Sequence, residues 1–307
     1  MGLTWPLLLS LFLSGDQAAT KSSPASVEPV SAILDIFRSH SIVAIAEEHG
    51  NEQGHAFRLS LIRDPGFPAL VDDIVVECGN ARYQSVIDRF VRGDPVPYDE
   101  LRQVWQNTTQ LHTIWDKPIY EEFFHAVRAI NAELPPARRL RVLLGDPPID
   151  WNNIHSAADL RKDWGRSRYP AEVTKREVLA HDRRALVIYG GAHLWRQNPA
   201  GPTLVEHLET AGAGVFTIMI HPGANLAAVQ PDQRFWRAPS LTFTRGTPLE
   251  NQVDAILYLG PRSAMTYSRL PARLCSDPGY REMRRRRMSL TLGLEKAGDA
   301  LNKECGR

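Results

Sequence analysis

Four places in this chain put chemically capable side chains directly after a short apolar run. The run Ile42–Ala46 is followed by Glu47, Glu48 and His49, and Ile74–Val76 is followed by Glu77. Leu140–Leu144 leads into Asp146, Asp150 and Trp151, and Ala185–Tyr189 leads into Gly190-Gly191-Ala192-His193. A carboxylate beside a histidine can do three things. It can orient a general base and stabilise its charge, share a divalent metal with it, or satisfy buried polar groups at a sheet edge. Several ionisable groups on one rim favour a working role, because burying them together is costly unless they are paired or used. The Gly190-Gly191 pair allows a tight turn and close approach to a ligand, which aims His193 into a cleft.

Further residues surround this set. His55 and Arg58 are three apart on an expected helix and share a face. From there Arg58 can hold an anion or one of the carboxylates. Asp146 and Asp150 are candidate pocket residues, with Trp151 as an apolar wall. The candidate catalytic residues are therefore His49, Glu77, Glu47, His193 and Arg58. The candidate substrate-binding residues are His55, Asp146, Asp150 and Trp151. If a divalent metal is bound, Glu47, His49 and His193 are its candidate ligands. No Gly-x-Ser-x-Gly elbow is present, and no phosphate-cradling glycine loop. Cys78 beside Glu77 reads as a buried thiol, since an adjacent carboxylate raises a thiol's pKa.

These side chains need a scaffold that brings strand ends together. Short β-branched runs bounded by polar loops predict buried parallel strands, with Ile42–Ala46 and Ile74–Val76 as neighbours. Val215–Ile220 and Ala255–Leu259 read as further strands. Helices are predicted over Val30–Phe37, His55–Arg63, Tyr83–Arg92, Leu101–Trp115, Ile119–Ala132 and Thr203–Ala211. Phe123, Phe124, Val127 and Ile130 form a core stripe on one of them. Residues 152–164 are polar and yield no assignment. The alternation predicts an α/β fold, a largely parallel central sheet with helices on both faces. The site would then lie at the C-terminal strand ends.

Composition narrows the partners. With 307 residues and a formal net charge of +1, there is no electrostatic case for nucleic acid or an anionic membrane. A small-molecule or peptide substrate fits better, and no stretch is long and apolar enough for a transmembrane span. Leu3–Leu13 reads as the core of an export signal, although no Lys or Arg precedes it. Residues 1–28 are then signal and linker, 29–270 the α/β domain, and 271–307 a basic helical tail. The Arg284–Arg287 run in that tail reads as a solvated helix face. Export implies a periplasmic or secreted protein, with the cytoplasm as the alternative. Cys275 and Cys305 could pair in an exported chain.

Three motifs in order carry a resemblance. Ala46-Glu47-Glu48-His49-Gly50 is similar to the Gly-Glu-x-His start of ChaN-like proteins, with Ala46 in place of glycine. Arg58 and Val75-Val76-Glu77 follow His49 at a spacing similar to that of erythromycin esterases. Gly190-Gly191-Ala192-His193-Leu194 is similar to the Gly-x-x-His-Leu segment of Tiki/TraB proteins. From roughly Ser41 to Ile220 the chain therefore resembles the erythromycin esterase-like, ChaN-like and Tiki/TraB superfamily. The resemblance implies a hydrolase using histidine-activated water with glutamate support, or a metal-dependent one. Its alternative is a ChaN-like haem- or metal-binding uptake protein without turnover. Matched residue by residue, His49 becomes the base or a ligand, Glu77 its carboxylate partner, Glu47 a second acid and His193 the distal histidine. In the esterases the first glutamate lies one residue farther from the histidine than Glu47 does. Haem is the less favoured cofactor, since no tyrosine in the motif loop offers an axial ligand.

Overall fold

Every residue of the strand Ile42–Glu47 is buried, as is every residue of Asp73–Asn80. That burial explains their near-continuous apolar character: both faces of each strand are covered, so no polar alternation is needed. The computed structural model describes residues 26–160, 165–221 and 239–306. The apolar run Leu3–Leu13 lies outside these residues. The strands are β1 (Ser26–Val27), β2 (Ile42–Glu47), β3 (Asp73–Asn80), β4 (Arg141–Asp146), β5 (Ala185–Gly190), β6 (Val215–His221), β7 (Ser240–Phe243) and β8 (Ala255–Tyr258). They form one eight-stranded sheet in the order β1-β7-β8-β6-β2-β5-β3-β4. Pairing is parallel from β8 across to β4, while β7 and β1 add an antiparallel edge.

The order corrects one sequence expectation. β2 and β3 are not neighbours, because β5 lies between them, in register with both. The chain steps in one direction from β2 to β3 to β4, then reverses to β5, β6 and β8. Right-handed crossovers place helices of the two directions on opposite faces. The helices Glu52–Arg63, Gln84–Arg92 and Pro118–Glu133 accordingly pack on one another, and Arg168–Glu177 packs with Leu204–Thr210. A crevice opens at the carboxyl ends of strands where direction reverses, here around β2 and β5.

Some helices differ from expectation. Glu52–Arg63 begins earlier than predicted, because the Asn51 side chain accepts from the Gly54 N–H and caps it. Leu101–Trp115 is not one helix but two single turns, Tyr98–Leu101 and Gln103–Gln106, and a 3-10 turn at Ile114–Asp116. The tail forms three helices, Ala272–Ser276, Pro278–Leu292 and Leu294–Glu304, and a Cys275–Cys305 disulfide with Cα atoms 5.6 Å apart joins the first to the end of the last.

The basic run in the tail is solvated only in part, at Arg285 and Arg286. Arg284 and Arg287 are buried. Arg284 binds Asp116 and the Gln106 carbonyl, and Arg287 binds the Gln106 carbonyl and the Asn107 side chain. Its guanidinium also stacks over Trp151 at 4.3 Å. Arginine tolerates this because its planar fork and weak hydration suit buried pairing. No helix of the described residues is long and apolar enough to cross a membrane.

Candidate active site

The end of β2 builds the first half of the site. Glu47 is the last residue of the strand and is buried. The chain then turns through Gly50, which at φ +84° occupies the left-handed region that favours glycine. This turn folds His49 back so that its Nδ1 meets Glu47 Oε2. Tyr120 donates to the other carboxylate oxygen at 2.9 Å, and Arg58 Nη2 lies 3.9 Å from it. Burial opposes ionisation of Glu47, but His49, Arg58 and Tyr120 outweigh it and hold the carboxyl below its ordinary value. Burial also pulls His49 down, yet the Glu47 hydrogen bond and the Glu47 and Glu77 charges prevail, raising its pKa. Trp115 meets the imidazole edge-on at 4.7 Å and fixes its plane.

The ends of β3 and β5 build the second half. Glu77 is buried and accepts the Gly190 N–H at 2.8 Å. Its other oxygen binds Arg166 Nη2 at 2.8 Å and lies 3.6 Å from His193 Nε2. Ser167 Oγ is 2.8 Å from His193 Nδ1. The nearby Glu77 carboxylate favours the tautomer with its proton on Nε2, so Ser167 donates to Nδ1. Burial lowers the His193 pKa, against the charge of Glu77 and with that of Arg166 and His49. The lowered pKa favours the neutral imidazole, with its N–H on Nε2.

Gly190 joins the halves. A side chain there would place its Cβ 3.1 Å from Glu77 Oε2, 3.2 Å from His49 Cε1 and 3.4 Å from His49 Nε2. With glycine here, the backbone passes close beside a carboxylate oxygen and an imidazole nitrogen.

His49, Glu47, Glu77, His193 and Arg58 therefore lie together around the ends of β2, β3 and β5. Arg58 is buried beside Glu47, and its Nη1 has no hydrogen-bond partner among the described residues. The other candidates take different positions. His55 is buried against Glu122, 3.1 Å away. Asp146 is buried on the Thr109 N–H and hydroxyl, and burial pushes its pKa up to about 7. Asp150 caps the turn that follows it and pairs with Arg82. Trp151 packs under Arg287 and donates to the Asn107 and Thr108 carbonyls.

Sequence reasoning did not single out Tyr120, Trp115, Ser167 or Arg166. Tyr120 lay within a helix read as core, and Arg166-Ser167 directly follows the polar stretch that yielded no assignment.

As a metal site the donors fit poorly. Both Glu47 oxygens already meet His49, Tyr120 and Arg58, and both Glu77 oxygens meet N–H donors. Among the described residues, no group of three His, Cys, Asp or Glu side chains is placed to hold a metal ion.

Neither a family model nor a curated protein matches the chain. Solved structures do. A mutant of the erythromycin esterase EreC in its open conformation superimposes with a TM-score of 0.51 at 15% identity, covering 74% of this chain and 92% of that one. The chain has the fold of an erythromycin esterase. A protein from Bacillus cereus shares this fold with a TM-score of 0.52 at 11% identity, covering 79% of this chain and 93% of that one. ChaN of Campylobacter jejuni, solved with cofacially bound haem, gives 0.45 at 11% identity, covering 75% of this chain and 91% of that one.

Proposed function

We propose that the chain is a hydrolase that cleaves esters or amides with water activated by His49. The observation that carries this reading is the convergence of His49 Nε2 and Glu77 Oε2 on Gly190, with Glu47 holding the other ring nitrogen of His49. Glu47 binds Nδ1, which leaves Nε2 as the base and stabilises the imidazolium once it forms. In the attacking step Nε2 takes a proton from water while the water oxygen bonds to the carbonyl carbon. The carbonyl π pair moves onto its oxygen. Collapse of the tetrahedral intermediate breaks the bond to the leaving group, and the His49 imidazolium returns its proton to the departing oxygen or nitrogen. The His193 N–H faces the same carboxylate from the other side and stabilises the developing oxyanion.

The crowded donors around Glu47 and Glu77 support a metal-free route. The Cys275–Cys305 disulfide supports an exported protein, since such bonds persist in oxidising compartments.

The test is turnover of p-nitrophenyl esters, lactones and a peptide panel by the purified full chain and by His49→Gln. Turnover that the substitution removes supports the reading. A Soret band on adding haem, with no turnover of any panel member, replaces it with a binding role.

A further inference from the structure

We propose that Arg166 is the cationic half of the oxyanion site, and that Glu77 holds Arg166 and His193 in place for it. This rests on the hydrolase reading above. The resemblance pointed to Arg58 as the arginine of the site, but Arg58 is fully buried, with its Nη2 3.9 Å from Glu47 Oε1. Arg166 sits across the cleft. Its Nη2 is 2.8 Å from Glu77 Oε1, the same oxygen that lies 3.6 Å from His193 Nε2. One carboxylate oxygen thus gathers a guanidinium and an imidazole N–H at one point. A carbonyl oxygen attacked from the Gly190 side would meet both.

The Gly190 N–H is taken by Glu77 and the Gly50 N–H by Tyr120. The Arg166 Nε, like Arg58 Nη1, is buried and has no partner among the described residues. A buried guanidinium N–H left unpaired is costly, and a ligand oxygen would relieve that cost. Arg166, Ser167 and His193 also line one open groove of about 540 Å³, so a substrate can reach them. Two donors in a partly dry cleft stabilise a developing alkoxide far better than bulk water does.

The charges around the two histidines sharpen the test. His49 faces Glu47, Glu77 and Arg166, and His193 faces Glu77, Arg166 and His49. Arg166 lowers both pKa values, so its removal raises them. A purely structural arginine would move both pKa values through its charge as well, so a loss confined to kcat and rescue by guanidinium are what separate the two roles.

The experiment compares wild type, Arg166→Ala, Arg166→Gln and His49→Gln. The expected result for either Arg166 variant is a fall in kcat of about 10²–10³-fold on p-nitrophenyl acetate, with KM within a few-fold. The acid limb of kcat/KM should move to higher pH, and added guanidinium should partly restore Arg166→Ala. Phenylphosphonate, a tetrahedral anion, is titrated calorimetrically onto each protein. Wild type should bind it at least about tenfold more tightly than Arg166→Ala, and near-UV circular dichroism should show both folded. Full kcat in both Arg166 variants, or phosphonate binding indifferent to Arg166, overturns the assignment. If His49→Gln removes activity while the Arg166 variants keep it, the hydrolase reading stands and only this inference fails. If His49→Gln is also fully active, the hydrolase reading itself fails.

Discussion

At the residue scale the decisive pair is His49 and Glu47. His49→Gln keeps polarity and approximate size but removes the titratable ring. Activity on the best panel ester should fall about 10²–10⁴-fold with folding intact, as read by kcat and circular dichroism. The pH dependence follows from the raised pKa of His49. The base form is the active one, so activity rises with pH through a value above the ordinary 6.5. Glu47→Gln removes the main cause of that elevation and should shift this limb to lower pH. The sign for stability is opposite. A histidine whose pKa is raised on folding stabilises the native state fully below the unfolded value, and that contribution fades as pH rises through the folded value. Glu47, held low, contributes above its unfolded value, and that contribution is lost as pH falls through the folded one. Gly190→Ala is the sharpest geometric test. Its methyl would crowd Glu77 Oε2 at 3.1 Å and His49 Cε1 at 3.2 Å and should lower kcat about 10²-fold, with circular dichroism reading whether the fold is kept. His49, Glu77 and His193 were legible because each follows an apolar run. Arg166 was not, because a lone arginine in Gly165-Arg166-Ser167-Arg168 gives no sign of which carboxylate it will meet.

At the scale of elements, the parallel strands were legible from their unbroken apolar runs, and their order was not. Periodicity reports that a strand is buried on both faces, but not which strand lies beside it. That depends on where the chain reverses, which is a property of the crossovers. The helix Arg168–Glu177 was given no assignment from the sequence, and Pro170 within it offers no helical signal. It sits in the first turn, where its missing N–H breaks no helical bond. The tail was misread for a different reason. Arginine in a basic run is usually solvated, and nothing local shows that Asp116 waits to receive Arg284. That pair ties the Pro278–Leu292 helix to the turn carrying Trp115, which packs on His49. Arg284→Met leaves Asp116 buried with only the Tyr280 hydroxyl and should cost about 3–5 kcal/mol. Chemical denaturation would measure this, and a smaller loss would mean that the tail docks by packing alone.

At the scale of the whole molecule, the disulfide and the sheet make separate contributions. The Cys275–Cys305 bond closes a span of 30 residues and should stabilise the tail by about 2–4 kcal/mol. Reduction should therefore expose the helices after residue 271 to protease while the sheet stays protected, as read by limited proteolysis with mass spectrometry. The insertion of β5 between β2 and β3 bears on how the protein is made. Both neighbours of β2 come from far later in the chain, at Ala185–Gly190 and Val215–His221. While the ribosome has delivered only β2, β3 and β4, the segment bearing Glu47 and His49 has no sheet to join. Folding in the order of synthesis is thus closed to this strand. A nascent chain released before β5 would carry an apolar strand with both edges bare, which is a template for aggregation rather than a folding intermediate of use. The two glutamates and two histidines of the cleft become one site only late in translation.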